Sequence, residues 1–231
     1  MIAAAGSGQR LGAGGPKAFV PLAGRAMVEW SIDAFRSAPS VRSIVVACPP
    51  GHVHELGGHD LGVVDGGASR AESVSNALEA VGTELVAIHD AARPLITPEL
   101  IEDVVATLIA DPDAVGAIAA VPVTDTIKRT PETRRAFTTD NVANARFVIE
   151  STLERERLWG AQTPQVFRTA ALREALAADP ERLAEATDEA MMVEATGGEV
   201  LIHPSPAENF KVTTPLDLKL AALLLDERSA Q

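Results

Sequence analysis

The chain has 231 residues, 46% of them hydrophobic and 23% charged, which suits one large α/β domain with a sizeable core. A formal net charge of −12 argues against a nucleic-acid-binding surface, which needs clustered lysine and arginine, but leaves room for an anionic small molecule in one cationic cleft. No apolar run approaches the ~20 residues of a membrane helix, the start leaves no space for a secretory leader, and Cys48 alone permits no intramolecular disulfide, so the expectation is a soluble protein of the reducing cytoplasm.

Met1-Ile2 begins a short apolar run, abrupt enough to suggest that the first strand lacks a residue or two, and runs straight into residues 3–17. That loop holds five glycines, Arg10, Pro16 and Lys17. Glycines in such number point to a close approach of backbone to a ligand, and successive N–H groups with two cations point to phosphate. The loop lacks the Gly-Lys-Ser/Thr of a P-loop, because Lys17 follows proline and precedes Ala18. It also fails the dinucleotide fingerprint: Gly6 and Gly8 fit, but Leu11 takes the third glycine's place, and Glu29 and Asp33 fall in a helical pattern where a ribose-binding acid would end a strand. What it does match is the G-x-G-x-R-L/M…P-K loop of nucleotidyltransferases.

Met27, Trp30, Ser31, Ala34 and Phe35 have the spacing of a buried helix stripe, and the β-branched run at residues 44–48 predicts a strand ended by Pro49-Pro50. His52, His54 and His59 follow in a loop that reads as solvated rather than as a metal set, since Gly57-Gly58 divides it and no carboxylate pattern supports it. Residues 61–64 predict another strand, and Asp65-Gly66-Gly67-Ala68-Ser69 turns into a helix carrying Val74, Ala77, Leu78 and Val81. Arg70 and Ser73 fall in its first turns, where a cation opposes the helix dipole unless an anion is present. A nucleotide would supply that anion; a surface ion pair of Arg70 with Glu72 or Asp65 is the plainer alternative. Residues 84–89 form the most buried-looking strand and deliver Asp90 and Arg93 at its carboxyl end, where ligands of open α/β sheets bind. His89, facing the other way, reads as a satisfied core histidine.

A helix with Ile101, Val104, Val105 and Leu108 and a strand over residues 116–121 follow. The pattern then degrades, so residues 122–160 read as an extended arm. Gln162-Thr-Pro-Gln165 returns to the body, a helix spans residues 169–178, and Thr187 is the expected N-cap of another that runs toward Gly197-Gly198. Residues 200–203 predict the last strand, and Thr214-Pro215 opens a C-terminal helix. No internal repeat or linker interrupts residues 1–231, so one domain plus an arm is the economical reading.

Taken in order, Gly6-x-Gly8-x-Arg10…Pro16-Lys17, Asp65-Gly-Gly…Arg70…Ser73, His89-Asp-Ala-Ala-Arg-Pro94, Asp125-Thr-Ile-Lys128, Gln162-Thr-Pro-Gln165, Thr187-Asp-Glu189 and Phe210-Lys-Val-Thr213 resemble the 2-C-methyl-D-erythritol 4-phosphate cytidylyltransferases of the non-mevalonate isoprenoid pathway. The resemblance spans nearly the whole chain and implies a Rossmann-like, three-layer α/β nucleotidyltransferase fold, with a mostly parallel mixed sheet, helices on both faces and a protruding β-arm. It implies cytidylyl transfer from CTP to the polyol phosphate, with Mg²⁺ held mainly by the triphosphate, and a homodimer with interlocking arms. A cytidylyltransferase of another polyol phosphate, such as ribitol 5-phosphate, is the closest rival.

Residue by residue, the resemblance implies that Ala4, Ala5, Gly6, Gly8, Gly67, Ala68, Arg70 and Ser73 bind the cytidine and ribose. Arg10 and Lys17 lie against the triphosphate, and Asp90, Ala91, Ala92 and Arg93 hold the methylerythritol end. Thr126, Arg155, Thr187 and Lys211 orient its phosphate, with Arg146 and Arg157 as alternatives to Arg155. Two departures stand out: Ala68 replaces the family's usual aspartate, and the arm is about ten residues longer than expected, in a region where insertions are tolerated.

Overall fold

The computed structural model describes residues 1–6, 11, 15–56, 61–131, 147–178 and 186–229. Gly8, Arg10, His59 and Arg146 therefore lie outside the described residues. The chain divides into two compact units, Met1–Ala120 with Ala161–Gln231, and Val121–Gly160.

The larger unit is built on a seven-stranded sheet. Its strands are β1 (Ile2–Ala3), β4 (Ile44–Cys48), β5 (Leu61–Asp65), β6 (Leu85–Asp90), β7 (Gly116–Pro122), β10 (Trp159–Arg168) and β11 (Val200–Pro204), in the spatial order β11-β7-β10-β6-β1-β4-β5. Strands β4, β1 and β6 run parallel, with Ile2 level with Val46 and His89, and β5 extends them beyond β4. β10 runs antiparallel to β6, and β11 parallel to β7. A small hairpin, β2 (Pro21–Leu22) and β3 (Arg25–Ala26), turns through Ala23 and Gly24, both at positive φ.

Both faces of the sheet are covered, because β4 is buried on both sides. Val46 and Cys48 pack with Val28, Ile32 and Phe35 of α1 (Met27–Ser37) and Ile101, Val104 and Leu108 of α3 (Pro98–Ala110). Val45 and Ala47 pack on the other face with α2 (Arg70–Glu79), α4 (Thr169–Ala178) and α5 (Glu189–Ala195). The expected stripe of α1 is borne out, with Met27, Ser31, Ala34 and Phe35 buried and Trp30 half-buried, its indole donating to the Leu22 carbonyl. The C-terminal helix α6 (Pro215–Ser229) closes a third cluster through Ala221 and Leu225, against Leu22, Met27 and Leu95. Among the described residues no helix is long and apolar enough to cross a membrane.

Two boundaries differ from the sequence reading. The cap of α5 is Asp188, whose carboxylate accepts from the Met191 N–H, and Thr187 stands one residue outside as an exposed side chain. Residues 162–165, read only as a return to the body, lie inside the ten-residue strand β10. Gln162, Thr163 and Gln165 are buried there as polar residues, which hides the strand from any apolar pattern. Tertiary partners engage them: Gln162 accepts from Ser205 and Asn209, and Gln165 donates to Asp188.

In the smaller unit, β8 (Lys128–Arg129) pairs antiparallel with β9 (Ser151–Thr152), and Lys128 Nζ lies 2.7 Å from Thr152 Oγ1. Thr126 is exposed in the loop ahead of β8. Arg155 begins a 3₁₀ turn and donates to the Thr124 carbonyl at 2.6 Å.

Candidate active site

The chain leaves β1 toward β4 on one side and returns through β5 and α2 to β6 on the other, so the strand order reverses at β1. Such a switch point opens a crevice at the carboxyl ends of the strands. A cavity of about 670 Å³ occupies it, lined by the chain following β1, the turn following β5 and the end of β6. That volume is ample for a nucleotide.

The turn after β5 is folded tightly against the one after β1. A Cβ on Gly66 would stand 2.4 Å from Ala5 Cβ, so only glycine allows the two turns to meet. Ser69 caps α2 by accepting from the Glu72 N–H, Glu72 accepts from Ala68 N at 2.7 Å, and Ser73 Oγ accepts from Gly67 N at 3.0 Å. The Gly67 and Ala68 N–H groups are thus engaged inside the turn.

Asp90 ends β6 with its backbone fixed beside β1, since Ala91 donates to the Ala3 carbonyl at 3.0 Å. Below it His89 is fully buried, and burial pushes its pKa down to about 3. The neutral ring explains the hydrogen bonds around it. Nε2 donates to the Arg93 carbonyl at 3.2 Å, Nδ1 accepts from Thr163 Oγ1 at 3.0 Å, and the same hydroxyl accepts from the Asp90 N–H at 3.1 Å. His89 is thus the satisfied core histidine that its position predicted.

The carboxylate of Asp90 is gripped from two sides. Oδ1 accepts from Arg70 Nε at 3.0 Å and Oδ2 from Lys211 Nζ at 2.7 Å. Burial alone would raise the pKa of this acid, but the two cations more than offset it and hold Asp90 well below the usual carboxylate range. Arg70 reaches further, with Nη1 donating to Glu189 Oε1 at 2.5 Å. Burial disfavours its charge, yet the two carboxylates win and keep it firmly protonated. Neither Glu72 nor Asp65 pairs with Arg70, so the surface ion pair considered from sequence is replaced by one that joins α2, β6 and α5.

Among the described residues, three cations, Lys17, Arg70 and Lys211, line the cavity, and the carboxylate of Asp90 lies between the last two. Ala4, Ala5, Gly6, Gly67, Ala68, Ser73, Ala91 and Ala92 line it as well. Arg93 does not. Its guanidinium is buried and donates to the Asn209 carbonyl at 2.8 Å and the Ala161 carbonyl at 3.4 Å, so it braces the loop beneath the site. Thr187, exposed ahead of α5, also lies outside the lining, and Thr126 and Arg155 belong to the smaller unit. In the sequence Glu189 stands out only as the end of the Thr187-Asp-Glu189 motif, although it shares a helical face with Met192 and Val193, and an acid on an apolar stripe is the signal of a buried charge.

The family model described as "IspD: 2-C-methyl-D-erythritol 4-phosphate cytidylyltransferase" matches residues 1–227. The chain is similar to the protein of that name from Dechloromonas aromatica, at 38% identity over 240 residues covering 99% of this chain and 97% of the relative. It is likewise 40% identical to the one from Frankia casuarinae, over 100% of this chain and 85% of the relative. Among solved structures, the enzyme from Thermus thermophilus superposes with a TM-score of 0.77 at 35% identity, over 97% of each chain.

Proposed function

The chain belongs to the 2-C-methyl-D-erythritol 4-phosphate cytidylyltransferase family, and from that premise we propose that it joins CTP and 2-C-methyl-D-erythritol 4-phosphate into 4-diphosphocytidyl-2-C-methyl-D-erythritol, releasing pyrophosphate. The observation that carries this reading is the crevice at the switch point, which among the described residues is lined by Lys17, Arg70 and Lys211 beside the Asp90 carboxylate. A phosphate oxygen of the acceptor attacks the α-phosphorus of CTP, a new P–O bond forms, and the bond to the β-phosphate breaks with its electrons leaving on pyrophosphate. The attacking group is already an anion, so no general base is required. Catalysis reduces to positioning and stabilisation of charge.

In this reading Lys17, with Arg10, faces the triphosphate and the charge that builds on the α-phosphate. Ala4, Ala5, Gly6, Gly8, Gly67, Ala68 and Ser73 hold the cytidine. Carbonyl oxygens of the turn after β5 suit the exocyclic amine of cytosine, a donor where uracil carries an acceptor. Asp90 accepts hydroxyls of the polyol, since a carboxylate with two occupied lone pairs retains others, and Ala91 and Ala92 shape that end while Arg93 braces it. Lys211, Thr187, Thr126 and Arg155 orient the acceptor phosphate, the last two from an arm over residues 122–160 that links a homodimer in the cytoplasm. Mg²⁺ would be held mainly by the phosphate oxygens of CTP. The metal, when bound, neutralises triphosphate charge.

Pyrophosphate release measured with each of CTP, UTP, ATP and GTP against a panel of polyol phosphates tests this. The expected result is preference for CTP by roughly ten- to hundredfold, the cost of one mispaired buried polar group, with methylerythritol phosphate as the best acceptor. Comparable turnover with a purine triphosphate, or faster turnover with ribitol 5-phosphate, would overturn it.

A further inference from the structure

We propose that Glu189 is a positioning residue for this reaction: it holds Arg70, and through Arg70 it fixes the Asp90 carboxylate that meets the acceptor. The inference rests on the cytidylyl-transfer reading for what Asp90 does, but not for how Asp90 is held.

Glu189 is the first residue of α5, and its helix is already capped by the Asp188 carboxylate. Its side chain turns inward, 2% exposed, on the same helical face as Met192 and Val193. Burial raises its pKa despite the opposing charge of Arg70, and among the described residues its Oε2 has no hydrogen-bond partner. A buried carboxylate satisfied at only one oxygen contributes little as a stabilising contact, because the penalty of removing an ion pair from water can exceed what the pairing gains. What the arrangement does supply is direction. The guanidinium is planar and presents its donors in a fixed fork. With Nη1 held by Glu189, Nε is aimed at Asp90 Oδ1, while Lys211 takes Oδ2. The four charges alternate in sign along one chain, Glu189, Arg70, Asp90, Lys211. Members of such a chain constrain one another more than isolated pairs do.

Glu189 itself does not line the cavity, whereas Arg70, Asp90 and Lys211 do. It lies behind them, on a different helix, and keeps Arg70 committed to the carboxylates rather than free to turn toward the triphosphate. Its removal should therefore register at the acceptor end of the site and not at the nucleotide end.

Two variants separate this from a purely structural role. Glu189→Gln keeps an acceptor for Arg70 Nη1 without the charge, and Glu189→Leu removes both. Initial rates with CTP and methylerythritol phosphate give KM for each substrate and kcat. Exchange of the Arg70 Nε–H with water, followed by NMR of the ¹⁵N-arginine-labelled protein and assigned with Arg70→Lys, reports the Asp90 contact without any turnover. For Glu189→Leu the expected result is about a tenfold or greater rise in the acceptor KM with the CTP KM within about twofold, and faster Nε–H exchange, in line with losing one hydrogen bond to a charged group. Glu189→Gln should fall between wild type and Glu189→Leu in both readouts. If Glu189→Leu does not fold, Glu189→Gln carries the test with the same pattern at reduced size.

Folded variants with unchanged acceptor KM and unchanged Nε–H exchange would overturn the proposal, as would equal changes in both KM values. Wild-type protein that releases no pyrophosphate from CTP and this acceptor would instead overturn the reaction assigned to the site. The exchange measurement would still decide whether Glu189 holds Arg70.

Discussion

Lys17 is the described cation that meets the triphosphate in the proposed reaction, and its role makes a kinetic prediction. An interaction stronger in the transition state than in the ground state raises kcat rather than lowering KM. Lys17→Ala should accordingly lower kcat by about 10²-fold or more while the KM for CTP moves far less, the pattern for loss of one oriented electrostatic donor. Steady-state kinetics check this, and a variant with near wild-type kcat and only weakened CTP binding would show that Lys17 binds without catalysing. His89 makes a separate prediction about pH. Its pKa falls from 6.5 in the unfolded chain to about 3 in the fold, so between those values the unfolded state binds the extra proton. Stability from the neutral ring is fully present above 6.5 and declines as pH drops toward 3, by roughly 1 kcal/mol per pH unit. Asp90, with a depressed pKa, adds a loss of the same sign only at lower pH, and Glu189, with a raised one, acts in the opposite sense. Denaturant unfolding of wild type and His89→Gln from pH 7 to pH 4 isolates the imidazole. The stability difference between the two proteins should shrink as pH falls, and parallel profiles would contradict a neutral His89.

Helix α6 shows how a terminal element is fastened by a few local bonds. Asp217 accepts from Thr213 N, Thr213 Oγ1 and Thr214 N, each at 2.8 Å, while Thr214 Oγ1 accepts from Asp217 N at 3.2 Å. The Thr213 hydroxyl and amide are the chief reason that the Asp217 pKa drops to about 2. Asp217→Ala should cost about 1 kcal/mol in urea unfolding, as loss of a helix cap does. Because the folded pKa lies below the unfolded one, this contribution is complete above about pH 4 and disappears as pH falls toward 2, so variant and wild type should converge in acid. A cost that persisted undiminished at pH 2 would place the effect elsewhere. Thr214-Pro215 was legible as the start of this helix because cap and first-turn chemistry are local. The stripes of α1 and α3 and the strand β4 were legible for a related reason, since periodic burial writes itself into the sequence. Strand β10 was not, because Gln162, Thr163 and Gln165 are buried through partners on distant segments, at Asn209, His89 and Asp188. The same limit applies in the site. Asp90 could be placed from the end of a hydrophobic strand, but its grip by Arg70 and Lys211 joins residues 20 and 121 positions apart. Arg93 shows the same limit from another side, because its donation to the Asn209 and Ala161 carbonyls also joins segments far apart in the chain.

At the scale of the whole molecule the proposal is that each active site is shared, with Lys17 from one subunit and Arg155 from the arm of the other. Support comes from the family resemblance and from the smaller unit taken by itself, in which Phe147, Val148 and Ile149 are 57%, 59% and 60% exposed, a consecutive apolar run that a second subunit would cover. A closed two-fold dimer makes every such contact twice, once in each direction. Lys17→Ala and Arg155→Ala proteins should each be inactive alone. When the two are unfolded together and reassociated, a mixed dimer holds one site lacking both residues and one site lacking neither. Random pairing makes about half of the dimers mixed, so roughly a quarter of all sites should regain wild-type activity. Sites built within one chain would regain none, because every chain carries a lesion. Native mass spectrometry of the reassociated sample establishes that mixed dimers are present. A confirmed mixture as inactive as its parents would exclude the shared site with Arg155 as its contribution, and repeating the experiment with Arg157→Ala would then ask whether the neighbouring arginine of the same turn supplies the charge.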